Sequence, residues 1–458
     1  MKKQITAITL LFVVVMPISM FGQKVPNQKI DMVGKLELVD EFTDLLLKHY
    51  LYEDTARLMG KLLTDRLSTG EYDHIKMARE FSRALTKDLR ANFRDRHIGI
   101  SYNPKVSKAM QSGTIDNGGL TEEVIQEQLA IEIYENFRIP EVRRFKGNIG
   151  YLKIDQLLPP VYATGYSEKL AAAIELIADS DAIILDLRDN VGGYDGGVEL
   201  LLSYFFEPGT HVSKVITRTP EGLRTVNSYT LENILGRRLL KQKVFALVSS
   251  STGSGAEAIA HTLKFSNRGT LVGETTYGAG YLFNDFPVGE KFLAQIPYST
   301  GMHPKAKANW ESVGVKPNVV VPQLIALEKA RELALKDLLV EEKAKPVNEQ
   351  YSYKLKSLEW ENNRRDDLKH AFELSMDQIQ ELIGSYGSRE ITAQGKNLFY
   401  QRRNPDRPIR RLIPVKPDEF LIEGLDEFRL TFTRVKKSNK IVALRFYSID
   451  RLFIDGKE

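Results

Sequence analysis

Apolar residues recur at helical spacing from about Ile30 to Asn92, as in Phe42, Leu45 and Leu46 and again in Leu58, Leu62 and Leu63, with charges between them. That period predicts a small helical domain over residues 23–105. At Asp95-Arg-His-Ile-Gly-Ile100 the pattern changes to short β-like alternation, and His97 lies at the junction. A glycine-rich stretch from Gly113 to Gly119 and an acidic one from Glu122 to Glu135 follow, so residues 106–145 read as a connector. Residues 146–345 then alternate β-rich and helical runs. The β-rich runs are Ile149 to Ile154, Ala182 to Leu187 and Val244 to Val248, and the helical ones are Tyr166 to Ile177, Gly197 to Phe206 and Gly255 to Phe265. Repeated strand-then-helix predicts an α/β core on a largely parallel sheet. A charged helix, Leu324 to Glu342, closes it and Lys345-Pro346 makes a linker. In residues 346–458 a helix from Asp377 to Ile383 precedes the alternating runs Phe420–Glu423, Phe428–Phe432 and Ile441–Phe446. These predict a small antiparallel β domain.

The start of the chain has a different pattern. Lys2 and Lys3 precede an apolar run from Ile5 to Met16, then Pro17 and the small residues Ser19 and Gly22. This layout predicts a signal peptide over residues 1–22 and hence export, to the periplasm or the medium. The run is too short for a bilayer core that needs about 20 apolar residues, so no stable membrane span is expected after cleavage. The 458 residues contain no cysteine, which removes thiol nucleophiles, thiolate metal sites and disulfides and leaves oxygen nucleophiles. A net charge of +4, from 64 basic and 60 acidic residues, gives no case for nucleic acid as a partner.

Candidate chemistry lies where strands end. Strand Val244 to Val248 runs through Ser-Ser-Ser-Thr-Gly-Ser-Gly-Ala-Glu257 into a helix, a loop that projects side chains at the carboxyl edge of a sheet. Ser254 is placed there as a nucleophile, with the helix N-terminus able to hold a developing oxyanion. Ser254 with Glu257 is equally a capping box, which needs no catalysis. A serine base must come from the seven histidines. His261 is seven residues along the same helix, about 10.5 Å at 1.5 Å per residue, out of reach. His49, His74 and His370 sit among charged helical residues and His211 in a turn, which leaves His97 and His303. Asp186-Leu-Arg-Asp-Asn-Val-Gly-Gly193 ends a second strand with paired glycines that free backbone N–H groups or simply make a turn. Gly273-Glu-Thr-Thr-Tyr-Gly-Ala-Gly280 lacks the Lys-Ser/Thr ending of a phosphate loop, so nucleotide binding is not expected. Glu311, in Asn309-Trp-Glu-Ser-Val-Gly-Val-Lys-Pro-Asn318, could orient a base or stand solvated in its turn.

In this order, the five segments resemble the serine peptidase family that includes the carboxyl-terminal processing peptidases, the tricorn protease core and the interphotoreceptor retinoid-binding protein repeats. The resemblance implies a ClpP/crotonase-like core of βα units with Ser254 as nucleophile. The processing peptidases place a lysine base where this chain has Ala279, so the tricorn-like branch is the closer pattern. On that branch the base is His97 and its support Glu311, while the serine that relays between them is replaced by Arg96. The connector is too short for the PDZ domain of the processing peptidases.

The function so implied is an exported serine-type peptidase acting on protein or peptide through an acyl-enzyme. Gly255, Gly192 and Gly193 form its oxyanion hole, and neither metal nor other cofactor takes part. Because free histidine titrates near about 6.5, activity is expected to fall in mild acid. Two alternatives stay open. One is an inactive carrier of a small apolar ligand on the same fold. In the other, the carboxyl-terminal domain binds an envelope polymer through Arg402-Arg-Asn-Pro-Asp-Arg-Pro-Ile-Arg-Arg411, a segment that is otherwise an exposed charged hairpin. The oligomeric state is not encoded in any of these patterns.

Overall fold

The computed structural model describes residues 26–113, 122–159, 165–346, 349–370, 372–404 and 406–457. The predicted signal peptide lies outside the described residues. The chain divides into two compact units, residues 1–331 and 332–458.

In the first unit three helices lead: α1 (Met32–His49), α2 (Glu53–Ser68) and α3 (Ala78–Asn92). Asp31 caps α1 by accepting the Gly34 N–H at 2.9 Å. Each helix buries a stripe at 3.6-residue spacing, Val39, Phe42 and Leu46 on α1 and Phe81, Leu85 and Leu89 on α3. The strand after them is β1 (Gly99–Tyr102), and α4 (Pro104–Gln111) and α5 (Glu122–Tyr134) occupy the predicted connector.

The core strands and helices then follow in order: β2 (Glu141–Phe145), β3 (Ile149–Lys153), α6 (Tyr166–Ile177), β4 (Ala182–Asp186), α7 (Asp195–Ser203), β5 (His211–Thr219), β6 (Gly222–Tyr229), β7 (Lys243–Val248), α8 (Ser254–Phe265), β8 (Gly269–Gly273), β9 (Tyr281–Val288), β10 (Phe292–Met302) and β11 (Val319–Val320). Six of the strands form one sheet in the order β11-β8-β7-β4-β3-β2. Its pairs are parallel except the antiparallel edge pair β2 and β3. All five residues of β4 are buried and the first four are apolar, as in a strand covered on both faces. This is the expected α/β core of βα units.

A second, antiparallel sheet was not visible in the sequence pattern. It runs β1-β10-β5-β6, with β9 also paired to β10. The eleven-residue β10 pairs β1 through Phe292–Gln295 and β5 through Ser299–Met302, with an irregularity between Pro297 and Ser299 where it pairs β9. Its first half closes the helical core: Phe292, Ala294 and Ile296 pack in one cluster with Phe42, Leu63 and Leu85. Its second half ends beside the site described below.

Helix α9 (Gln323–Lys343) runs across the boundary between the units. The second unit holds α10 (Glu349–Lys369), α11 (Met376–Leu382) and eight antiparallel strands in sequential order, from Gly384–Tyr386 to Leu452–Gly456. Its core is separate, built on Tyr386, Ile391, Phe420, Leu430 and Leu444. The expected antiparallel β domain is therefore present. Helix α10 escaped the sequence pattern because charged residues stand at nearly every turn of Glu349–Lys369. The segment Arg402 to Arg411 joins two adjacent strands of this sheet, Asn397–Arg402 and Arg410–Lys416. Among the described residues, no helix is long and apolar enough to cross a membrane.

Candidate active site

Two loops at the carboxyl ends of the neighbouring strands β4 and β7 are tied together. At the end of β4 the fully buried Asp186 accepts the Tyr151 hydroxyl at 2.7 Å and is gripped by the Arg188 guanidinium, which anchors the strand end. Asn190, also fully buried, donates to the Ile154 carbonyl at 3.0 Å and accepts the Gly192 N–H at 2.8 Å. The chain that follows bends through φ +109° at Gly192 and +136° at Gly193, values that only glycine adopts freely. Space demands glycine as well. A Cβ on Gly192 would lie 2.7 Å from the Ser254 Cβ, and one on Gly193 would lie 2.0 Å from the Leu157 carbonyl oxygen.

At the end of β7, Thr252 donates its hydroxyl to the Leu187 carbonyl at 2.7 Å, and Gly253 donates its N–H to the Asn190 carbonyl at 3.0 Å. These bonds force the sharp entry into α8, and Ser254 sits there at φ +46°. A left-handed conformation costs a non-glycine residue about 1–2 kcal/mol, strain of the kind concentrated at functional turns. The capping-box reading is half right. Gly253, not Ser254, is the N-cap, and the Glu257 carboxylate does reach back to the Ser254 N–H at 3.0 Å. The Ser254 hydroxyl, however, caps nothing and has no hydrogen-bond partner among the described residues. Glu257, fully buried, also accepts the N–H groups of Gly278 and Ala279, each at 2.7 Å, and the Thr276 hydroxyl. Burial raises its carboxyl, against the pull of these bonds.

His97 comes from the loop between α3 and β1, which two buried carboxylates grip. Asp95 accepts the N–H groups of His97 and Ile98 at 2.8 and 2.9 Å on one oxygen and the Tyr50 hydroxyl at 2.9 Å on the other. Glu311 accepts the Arg96 N–H at 2.7 Å on one oxygen and the N–H groups of Gly280 and Tyr281 at 2.5 and 3.2 Å on the other. That second oxygen lies 4.0 Å from the His97 Nδ1, a buried atom with no hydrogen-bond partner among the described residues. Arg96 thus meets Glu311 through its backbone, while its guanidinium lies over the Tyr277 ring, 5.0 Å from the centroid.

Burial, reinforced by Arg90, lowers the His97 imidazole to about 4. Burial pushes Glu311 up to about 7; the Arg96 N–H pulls the other way and the neighbouring Asp95 adds to the rise. Asp95, His97 and Glu311 offer donor atoms within 4.8 Å of one another, a spacing that could hold a cation. Their carboxylate oxygens are already engaged by N–H and O–H donors, so the cluster acts as a pair of clamps on the histidine loop.

Ser254, His97, Gly193 and Gly255 line one cavity of about 660 Å³, with Glu311 buried behind the wall beside His97. Gly192 takes a different part from the one expected of it. Its N–H is given to Asn190 and it serves by leaving room for Ser254, while Gly193 and Gly255 line the cavity with that serine. The other candidate base, His303, also reaches the cavity, but its Nδ1 accepts the Lys305 N–H and its own N–H points to His261. His261 packs between Phe265 and Trp310. The Ala279 N–H is held by Glu257 and its carbonyl by the Trp310 indole. Asp95 and Asn190 stood inside the quoted motifs without an assigned role, and Glu257 only as a capping-box partner. Asp195 and Glu199, on the cavity wall, carried no signal beyond their four-residue spacing.

Residues 148–321, the stretch that holds β3 to β11, match the description "Peptidase family S41". The carboxyl-terminal-processing peptidase 1, chloroplastic, of Arabidopsis thaliana is 27% identical over 161 residues, 34% of this chain and 30% of that protein. The carboxyl-terminal-processing protease of Synechocystis sp. is 26% identical over 182 residues, 38% of each chain. The matched region therefore spans well under half the length of these relatives. Among solved structures, a photosystem II D1 C-terminal processing protease superposes with a TM-score of 0.41 at 14% identity, over 64% of this chain and 93% of that one. Residues 148–321, which supply both glycine and serine loops and Glu311, are thus the part of this chain that is similar to peptidase family S41.

Proposed function

We propose that the chain is an exported serine peptidase that hydrolyses peptide bonds through an acyl-enzyme. One observation carries this reading: a Ser254 hydroxyl with no partner among the described residues, on a left-handed turn at a helix N-terminus, shares a cavity with a largely buried imidazole that is neutral at ordinary pH. His97 takes the hydroxyl proton as the Ser254 Oγ attacks the substrate carbonyl carbon. The resulting oxyanion meets the N–H groups of Gly193 and Gly255 and the positive end of α8. As the C–N bond breaks, the imidazolium returns its proton to the leaving amine. Water then repeats the sequence on the acyl-serine and frees the acid. Nδ1 faces Glu311, so Nε2 is the nitrogen available to Ser254. A closure of about 1 Å on substrate binding would turn the 4.0 Å approach into a hydrogen bond.

The test uses the purified chain on an unfolded protein substrate. Ser254→Ala and His97→Ala should each lower kcat by at least about 10³-fold, since a nucleophile and its base act as a unit. Cleavage by both variants at the wild-type rate would end the proposal. A serine-reactive fluorophosphonate that labels the wild type and not Ser254→Ala would separate the enzyme from the carrier of an apolar ligand. Export rests on the basic and apolar start of the sequence and is checked by cell fractionation.

A further inference from the structure

Helix α7 starts two residues after Gly193, and its first two turns form a wall of the cavity that holds Ser254. Asp195 and Glu199, one turn apart on that helix, both face the cavity. Neither has an ion-pair partner among the described residues, and Ser228 is the polar neighbour of Glu199. Burial raises Asp195 to about 6 and Glu199 to about 7. Val198, Leu202, Val212, Val215 and Met302 give the same cavity apolar surface, and Ser213 and Ser228 add hydroxyl groups to it. The cavity's arginines are engaged elsewhere: Arg90 donates to the Ile98 carbonyl at 2.7 Å and Arg96 lies over Tyr277.

Carboxylates kept in an apolar pocket without a cation are costly unless a partner arrives. A lysine or arginine side chain supplies what this pocket lacks, an aliphatic stem for the valines and leucine and a cationic head for the two acids. We infer that Asp195 and Glu199 form a specificity pocket that selects peptide substrates with an arginine or lysine beside the bond cleaved at Ser254. This deepens the peptidase reading and rests on it. α7 connects the two functions: the turn that frees the Gly193 N–H leads directly into the helix that carries the acids.

The experiment has two arms. In the first, the full chain is offered matched peptides with arginine, lysine, leucine or glutamate on either side of the scissile bond, and products are identified by mass spectrometry. The expected ratio of kcat/KM for arginine or lysine over leucine is at least about 10², falling to near 1 in Asp195→Asn/Glu199→Gln. A wild type that cleaves but favours neutral residues, or a ratio that survives the double substitution, overturns the inference and leaves the peptidase reading standing. The second arm needs no turnover. Calorimetry compares N-acetyl-argininamide with N-acetyl-leucinamide on the Ser254→Ala chain, with and without the two acid substitutions. Preferential binding of the argininamide that is lost with the acids supports the pocket even if no peptide is cleaved, and equal binding of both amides overturns it.

Discussion

Ser254 meets two demands on one backbone position. Its hydroxyl must stand clear of the helix it begins, and the chain must turn sharply enough to face Gly193, which the φ of +46° accomplishes. Glycine at 254 would relieve that strain and alanine would keep it. Ser254→Gly should therefore be more stable than Ser254→Ala by about 1 kcal/mol in urea unfolding, with both inactive. The acid dependence also changes with burial. Free histidine placed the loss of activity in mild acid on account of the base, but His97 at about 4 stays neutral through that range, and Glu311 at about 7 is the group that titrates there. The linkage signs are opposite. His97 is depressed, so the unfolded chain binds its proton first, and stability present above about 6.5 is lost as pH falls towards 4. Glu311 is raised from 4.5, so the folded chain keeps its proton longer, and that stability is lost as pH rises through 7. Glu311→Gln removes the second effect. The stability of this variant relative to wild type should rise between pH 5 and pH 8 in denaturant titrations, and a flat or falling difference would show that Glu311 does not titrate there.

At the scale of elements, the site is a set of loops held by buried acceptors. Glu257 joins the first turn of α8 to the loop 276–279 through four donors. Glu257→Ala would strand those donors and should cost at least about 3 kcal/mol by denaturant unfolding, with a larger loss in kcat than in substrate binding because the Ser254 turn loosens. These loops were legible in the sequence because their chemistry is local. Paired glycines, Ser-x-x-Glu and a strand running into a helix each declare a turn within ten residues. The acids of α7 were not legible. Asp195 and Glu199 look like any exposed pair on a helix until β5 and β10 bring Val212, Val215 and Met302 to the same cavity.

On the scale of the molecule, the first unit depends on β10. Its first half is packed with α1, α2 and α3, and its second half reaches the cavity at Gly301 and Met302. Phe292, 6% exposed within that shared cluster, is the test point. Phe292→Ala should cost about 3–5 kcal/mol, and hydrogen exchange should show the amides of α1–α3 and β10 opening together. Opening of the helices while β10 stays protected would count against one cooperative core.

The sequence by itself determined the leading helices, the parallel core and the positions of the two loops at its carboxyl edge. Each follows from a period of 3.6 or 2, or from backbone geometry that a few adjacent residues impose. Tertiary structure alone decided the rest. His97 and Glu311 are more than 200 positions apart and are brought to 4.0 Å only because the helical segment shares its core with β9 and β10. Burial of that kind depends on which faces meet, which no local pattern records. It sets the neutral imidazole, the raised carboxyl of Glu311 and the unpartnered acids of the cavity.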